Sequence, residues 1–323
     1  MKGLRANAPP PRSADLYRLR PGNLSGAVIL SVTVAATAAG GWLSVHDAVL
    51  PWAVGQVVLA AALVEWFVLL HECGHDTLFR AHALHRPVGY VAGFFALIPF
   101  ECWRRIHARH HRWTGWQDLD PTTVSLTPRL RSRFERRAVN VCWKYWIPLF
   151  STVYRVDNFW NMPRLARLFH SDRRARRRVV ANLAAQAAGY VVVAMLVGPL
   201  PLARIVGLAL LLTFIVEDVL LLSQHTHVPM GLSRGRAVEP YRALAQEPFT
   251  RSLRLPPWLS RVWLHFDAHE LHHMYPFVPG YRLNEIPYTA ANEVSWRHWV
   301  PAARAIPGEV FLFQNRNESG FDV

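Results

Sequence analysis

Four long apolar runs constrain this chain more than any other feature of its sequence. A helix that crosses a bilayer needs roughly 20 mostly apolar residues, and a backbone in lipid must satisfy its polar groups within the segment itself. The runs cover about Leu24 to Val45, Val49 to Leu70, Val179 to Val197 and Ile205 to Leu222. The sequence therefore predicts an all-α integral membrane protein with four transmembrane helices.

Basic residues lie almost entirely outside these runs and predict how the chain is oriented. Two arginine clusters lie in the central segment, at 129–137 and 173–178, whereas the short turns within each helix pair carry little charge. The segment before the first run is also basic, with Lys2, Arg5, Arg12, Arg18 and Arg20. Positively charged loops remain on the cytoplasmic side. We therefore expect a multi-pass protein, in a membrane such as the bacterial cytoplasmic membrane, with both termini cytoplasmic.

These spans predict a single membrane domain over residues 1–323. Its parts are a cytoplasmic tail (1–23), the first helix pair (24–70), a cytoplasmic or interfacial segment (71–178), the second pair (179–222) and a cytoplasmic C-terminal segment (223–323). Two further apolar stretches are too short to span. We expect Val88 to Pro99 to be a re-entrant or interfacial helix and Val141 to Tyr154 to be an amphipathic helix at headgroup depth. The alternative for each is a buried helix of the cytoplasmic part.

The net charge of +14 has three common explanations, which the distribution of charge separates. Binding of nucleic acid would need a basic soluble module, but the arginine clusters here lie beside apolar spans, so we expect no nucleic-acid partner. The other two explanations, contact with anionic lipid and control of membrane topology, remain. The cysteines Cys73, Cys102 and Cys142 form no Cys-x-x-Cys pair, which argues against a disulfide framework or a thiolate zinc site.

Clustered histidines carry the chemistry. The three boxes are His71-Glu72-Cys73-Gly74-His75, His107-Ala108-Arg109-His110-His111 and His269-Glu270-Leu271-His272-His273. On a helix, positions i, i+3 and i+4 share one face, so each box can present its imidazoles to one space. His225 near the end of the fourth run adds another, and the nine predicted metal ligands are His71, His75, His107, His110, His111, His225, His269, His272 and His273. A cytoplasmic helical cap would carry these boxes.

Ligand number favours two metal ions. Imidazole suits iron, zinc, copper and nickel alike, but a catalytic zinc takes only three protein ligands. A membrane zinc protease remains an alternative, because two boxes fit His-Glu-x-x-His with Glu as general base. A protease would leave the second box, His107 to His111, without a role. The sequence also has no Asp-Gly dipeptide of the kind that such proteases use for a third ligand. A metal transporter, the other alternative, would place histidines along the helices and not at their ends.

The order of the boxes resembles the membrane fatty acid desaturase superfamily. His-Glu-Cys-Gly-His followed by Asp76, the stretch from Trp103 to His111 with Asp118 to Pro121, Gln224-His225-Thr226, and His272 to Pro276 leading to Leu283 are similar to motifs of acyl-lipid desaturases. The resemblance implies two iron ions, dioxygen as co-substrate, and insertion of a double bond into a fatty acyl chain. Hydroxylases and ketolases of the same superfamily are the alternative, acting on a lipid or a specialised metabolite.

The resemblance also implies an electron donor. The sequence lacks the His-Pro-Gly-Gly segment of fused cytochrome b5 modules, so we expect a ferredoxin-like donor in trans, attracted by the basic cytoplasmic surface. In some relatives an Asn one turn before the fourth-helix histidine binds iron through water. Leu221 stands at that position here.

Several residues near the boxes are candidates for orienting the ligands, since metal-bound imidazoles usually donate their second nitrogen to an acceptor. We predict no catalytic residue beyond the ligands. Lone histidines (His46, His82, His85, His170 and His298) are interpreted as surface residues. The orienting candidates are Glu72, Asp76, Asp118, Asp120, Asp267 and Glu270, the acids Glu217 and Asp218 within the fourth run, where charge is costly and usually functional, and the spare histidines His227 and His265.

Overall fold

Helices provide nearly all the regular structure of the described chain. The computed structural model describes residues 9–321 and 323; Lys2 and Arg5 of the predicted tail lie outside them. The helices are α1 (Asn23–Ser44), α2 (Val49–His75), α3 (His82–Phe95), α4 (Phe100–Trp113), α5 (Arg133–Tyr145), α6 (Leu149–Arg155), α7 (Met162–Leu168), α8 (Arg173–Val197), α9 (Pro199–His225), α10 (Pro257–Val262), α11 (His269–Met274), α12 (Trp296–Ala305), α13 (Gly308–Phe313) and α14 (Arg316–Ser319). Two short parallel strands, β1 (Leu253–Arg254) and β2 (Val294–Ser295), pair Leu253 with Val294.

The four predicted spans are confirmed as α1, α2, α8 and α9, which are long and apolar enough to cross a membrane. Three of them extend beyond the apolar runs. The helix α2 continues through the first histidine box to His75 and ends because Asp76 adopts a left-handed backbone with φ 59°. The helix α8 begins at Arg173, where the Asp172 carboxylate accepts from the Ala175 N–H at 2.8 Å. Polar helical turns therefore continue the apolar spans at the ends that carry histidine or arginine.

One compact unit of the chain comprises Gly22–Ala108 and Trp146–Val219. Its long helices are joined by a buried amide, Gln56. The Gln56 Nε2 donates to Ser44 Oγ and to the Ile205 carbonyl, both at 2.8 Å, and its Oε1 accepts from the Ala209 N–H at 2.9 Å. Helices α1 and α2 approach closely because Gly40 has no Cβ, which would lie 2.8 Å from the Leu59 nitrogen. Small residues and buried hydrogen bonds of this kind are how helices associate in lipid.

A buried ion pair links α6 to α9 in the same unit. The Arg155 guanidinium lies 2.5 Å from the Glu217 carboxylate, and both side chains are almost fully buried. The Arg155 guanidinium also covers the Phe214 ring at 4.5 Å. The neighbouring Asp218 accepts from the backbone N–H of Ser151 at 2.6 Å and from its hydroxyl. The two acids of the fourth run therefore join α9 to α6.

The two short apolar stretches fold differently from each other. The first lies largely in α3, which packs against α2. The prediction of one helix over Val141 to Tyr154 is wrong: the chain forms α5 and α6, separated at Trp146, whose φ is 57°, and Pro148, which cannot donate a helical hydrogen bond. The Trp143 ring of α5 stacks on Phe311 at 4.7 Å.

The other compact unit comprises Met1–Pro21, of which residues 9–21 are described, Arg109–Tyr145 and Leu220–Val323. Its apolar core lies behind α11. Leu16 and Leu19 of the N-terminal segment pack there with Leu271 and Met274 of α11. The Tyr275 hydroxyl donates to the Pro11 carbonyl at 2.7 Å. The predicted tail is therefore folded, in its described part, against the helix that carries the third box.

Replacing Glu217 with Gln should strongly destabilise the protein, because it leaves the Arg155 guanidinium buried without a counter-charge. We expect a loss of about 3–5 kcal/mol, measured as a lowered thermal unfolding midpoint of the purified chain in detergent. The matched control is Asp47→Asn, which removes the charge from an ion pair with Arg204 in which Asp47 is 95% exposed. The control should unfold like the wild type, and an equal effect of both variants would contradict the role given to the buried pair.

Candidate metal centre

Three histidines converge in the unit that contains the long helices. His71 and His75 occupy the last turns of α2, and His107 lies on α4. The His75 and His107 Nε2 atoms are 2.8 Å apart, and the His71 ring lies 4.8 Å from each of the other two rings. This group is called cluster A. The helical spacing of box one therefore presents both of its imidazoles to one place, as expected for ligands of one ion.

The packing of Trp103 explains the glycine of box one. Trp103 lies one turn before His107 on α4, and its indole stacks on the His107 ring at 4.7 Å. A Cβ on Gly74 would lie 3.0 Å from the indole nitrogen. Glycine at this position thus lets the indole approach α2 and hold the His107 ring in place.

Four histidines converge in the other unit and form cluster B. They are His110 of α4, His225 at the end of α9, and His269 and His273 of α11, with one nitrogen of each within 4.8 Å of the others. The His269 Nε2 lies 2.7 Å from the His225 Nε2 and 3.1 Å from the His273 Nε2. Two nitrogens bound at right angles to one ion, each about 2.1 Å from it, are about 3 Å apart. The donor set of cluster B therefore fits a metal ion.

The remaining two predicted ligands form a pair in the same unit as cluster B. The His111 and His272 Nε2 atoms are 3.0 Å apart. The His111 ring also stacks on the His273 ring at a centroid distance of 4.2 Å. All nine predicted ligands thus belong to cluster A, cluster B or this pair.

Acceptors on the far side of the rings direct the imidazoles. In cluster B, the His110 Nδ1 lies 2.7 Å from the Asp120 Oδ2, and the His273 Nδ1 lies 2.9 Å from the Gln246 Oε1. In cluster A, the His71 Nδ1 lies 3.2 Å from the Glu72 Oε1. Because these oxygens are acceptors, they favour the tautomer with the proton on Nδ1, in which Nε2 carries the lone pair that a metal would bind.

Charge and burial agree with neutral ligands. Burial, reinforced by the neighbouring His111, lowers the pKa of His273 well below its ordinary value, and imidazole binds metal in its neutral form. The Asp120 carboxylate is fully buried and accepts from the Thr122 N–H at 2.8 Å as well as from His110. The carboxylate that orients His110 is therefore itself fixed.

Gln246 is a functional candidate that the sequence did not reveal. It lies in a 3-10 helix, Ala243–Phe249, and its Nε2 donates to the His111 carbonyl at 2.7 Å while its Oε1 accepts from His273. One amide therefore connects box two with box three. No local pattern marks Gln246, since both partners are distant in sequence.

Arg251 was also missed, and it fixes the end of α9. Its guanidinium is buried and donates to the carbonyls of Ser223 and Thr226 at 3.0 Å and of His227 at 2.9 Å. The last carbonyls of a helix lack intrahelical donors. Arg251 supplies donors around His225 and so holds this ligand at the helix terminus.

The other orienting candidates have polar partners that are not histidine ligands. Asp76 pairs with Arg104 at 2.6 Å, and Asp118 accepts from the N–H groups of Ser233 and Arg234. Ser260 joins two more, since its hydroxyl lies 2.8 Å from the His265 Nδ1 and 2.7 Å from the Asp267 Oδ1.

Two further candidates, one in the third box and one just after α9, have structural partners. Glu270 accepts from the N–H groups of Ser252 and Asn292, and burial raises its pKa to about 7. The His227 Nε2 lies 2.7 Å from the Ser319 hydroxyl. The interpretation of His85 as a surface residue is wrong. This side chain is buried, and its Nε2 accepts from the Phe79 N–H at 3.0 Å.

Four membrane-length helices and converging imidazoles define a metal-binding membrane protein. The sequence profile of the family described as "Fatty acid desaturase" matches residues 47–299. The chain therefore belongs to the fatty acid desaturase family, and it is an oxidoreductase.

Several fatty acid desaturases are similar to this chain at modest identity. A probable fatty acid desaturase, DES1, of Sorghum bicolor is 25% identical over 84% of this chain and 70% of its own length. An sn-1 oleoyl-lipid 12-desaturase of Picosynechococcus is 32% identical over 37% of this chain and 33% of its own length. An endoplasmic-reticulum omega-3 fatty acid desaturase of Vigna radiata is 24% identical, over 69% of this chain and 60% of its own length.

Replacing Asp120 with Asn should weaken metal binding about 10- to 100-fold, because the His110 imidazole loses the carboxylate that orients it. The measurement is equilibrium dialysis of the purified chain against iron(II) under anaerobic conditions. Asp118→Asn is the control, as Asp118 lies on the same loop but holds Ser233 and Arg234. The orienting role of Asp120 is refuted if the two variants retain equal amounts of iron.

Proposed function

We propose that this protein is a dioxygen-dependent di-iron desaturase that introduces a double bond into a fatty acyl chain of a lipid-like substrate. The observation that carries the proposal is that histidines converge within cluster A and, separately, within cluster B, in a chain of the fatty acid desaturase family with four membrane-length helices. Two histidine clusters match two ions better than the three-ligand site of a single catalytic zinc.

Each cluster would hold one iron ion, with His111 and His272 as the remaining ligands. Iron bound there supplies the activation of dioxygen that allows hydrogen to be removed from an unactivated C–H bond. The protein's own part is positioning. Asp120, Gln246 and Glu72 orient the rings of His110, His273 and His71, whose Nε2 atoms would bind the ions. Arg251 fixes His225 on its helix, and Trp103 fixes the His107 ring. Ligands held in this way would keep their positions while the substrate reacts.

Substrate, orientation and electron donor follow from the same proposal. An acyl chain would enter from the membrane, and the basic segments would keep both termini and the metal centre on the cytoplasmic side. Electrons would come from a separate ferredoxin-like protein, whose acidic surface the excess of basic residues would attract. The chain carries 36 Lys and Arg against 22 Asp and Glu.

The partners of two glutamates argue against the zinc-protease alternative. In that mechanism, Glu72 or Glu270 would act as a general base on a metal-bound water. The Glu72 carboxylate instead accepts from the Thr77 hydroxyl at 2.8 Å and holds His71. The Glu270 carboxylate accepts from two backbone N–H groups. Both acids therefore support the surrounding structure.

Expression with ferredoxin, its reductase and NADPH tests the proposed reaction. Mass spectrometry of the extracted lipids should show fatty acyl chains lighter by two mass units, because desaturation removes two hydrogens. Acyl chains that gain one oxygen instead would assign the protein to the hydroxylases or ketolases of the superfamily. Unchanged lipids together with cleaved peptide substrates would contradict an oxidoreductase acting on acyl chains.

Replacing His110 with Ala should abolish product formation, since it removes one nitrogen from cluster B. In the control, His298→Ala, an exposed imidazole is lost from α12 and activity should stay at the wild-type level. Product yields per mole of protein from the same expression system give the comparison. Full activity of the His110 variant would exclude box two from the metal centre.

A further inference from the structure

A groove runs between α3 and α8 in the unit that contains the long helices, apart from the side chains of cluster A. Its volume is about 490 Å³, within the range of sites that bind small molecules. Tyr90 and Phe94 of α3 form one wall. The other wall is a single face of α8 that runs from Arg178 to Gln186, a length of about 12 Å at 1.5 Å per residue.

One end of the groove is positively charged. Arg178 lines it and is only partly exposed, and none of the ion pairs among the described residues includes Arg178. The preceding turns of α8 add four exposed arginines, Arg173, Arg174, Arg176 and Arg177.

The acid beside this end is already neutralised. Glu101 lies 2.5 Å from Arg86 and 3.4 Å from Arg105, and it accepts from the Tyr90 hydroxyl at 3.0 Å. The net charge at the mouth of the groove is therefore positive, which favours an anion.

Beyond Arg178 and Tyr90, the groove is lined mostly by apolar side chains. Its other polar lining residues are Asn182, whose Oδ1 accepts from the Glu101 N–H at 3.0 Å, and Gln186. Ala181 and Ala185 leave room along α8, and Phe94 lines the groove with them. At the far end, the Gln186 Nε2 donates to the Gly93 carbonyl and to the Tyr190 hydroxyl, and the Tyr190 hydroxyl donates to the Phe94 carbonyl. An apolar chain can therefore lie along Ala181 and Ala185 without breaking these hydrogen bonds.

We propose that this groove binds one anionic phospholipid, with its phosphate at Arg178 and one acyl chain along Ala181 and Ala185. A lipid fits better than a soluble anion because the charged end continues into an apolar slot on a membrane-length helix. A basic residue near a membrane surface contributes about 1 kcal/mol toward anionic lipid. The site is distinct from the metal centre and does not depend on the reaction proposed above.

Native mass spectrometry of the full chain in detergent tests this site. We expect one phosphatidylglycerol to bind, and phosphatidylcholine with the same acyl chains to bind at least about fivefold more weakly, since it has no net charge. The variant R178Q should weaken phosphatidylglycerol binding about fivefold. The control R174Q removes an exposed arginine of the same segment, and its affinity should stay within about twofold of the wild type because exposed charges act weakly at a distance.

A second variant separates charge from shape. Ala185→Leu keeps every charge but fills the slot, so it should weaken the binding of both lipids, while the thermal unfolding midpoint stays that of the wild type. Equal losses in R178Q and R174Q would reduce the interaction to diffuse surface charge and overturn the proposal. Full competition by glycerol phosphate, which has no acyl chain, would overturn it as well.

Discussion

The structure depends on holding unprotonated imidazole nitrogens against one another. In cluster B, the Nε2 atoms of His225 and His273 lie 2.7 and 3.1 Å from that of His269, and lone pairs at such distances repel unless a proton or a cation lies between them. The protein opposes this repulsion through the far side of two rings, those of His110 and His273. Asp120 and Gln246 accept from Nδ1, which leaves Nε2 as the metal-facing atom. A cation is the partner that satisfies all the converging nitrogens together.

The surrounding fold makes these helix termini rigid. Arg251 supplies donors to the carbonyls around His225, and the N-terminal segment packs Leu16 and Leu19 behind α11. The unit with the long helices uses a different means, because lipid gives no hydrophobic driving force for packing helix on helix. There, Gln56 and the Arg155–Glu217 pair tie the helices together through buried polar contacts. Such contacts are costly to break, which suits a scaffold that keeps ligands in place.

Hydrophobicity was sufficient to predict the four spans, and helical spacing was sufficient to group the histidines within each box, since both are local properties of the sequence. The residues at which the helices end could not be predicted from hydrophobicity. The apolar runs stop at Leu70 and Leu222, but α2 and α9 continue to His75 and His225, because Asp76 and Arg251 determine where these helices end. The composition of the stretch from Val141 to Tyr154 suggested one amphipathic helix, but the chain forms two helices that are separated near Pro148. Gln246 and Arg155 could not be predicted, as their roles depend on partners 27 and 62 residues away (from 246 to 273 and from 155 to 217).

Metal content of the purified wild-type chain tests the central claim most directly. Protein isolated from cells grown with both iron and zinc, and analysed by inductively coupled plasma mass spectrometry, should contain two iron ions per chain, because each histidine cluster would hold one. Mössbauer spectroscopy of the same sample should show high-spin, non-haem iron. One zinc ion per chain with no iron would contradict the account, and it would restore a single-metal hydrolase as the reading of the His71–His75 pair.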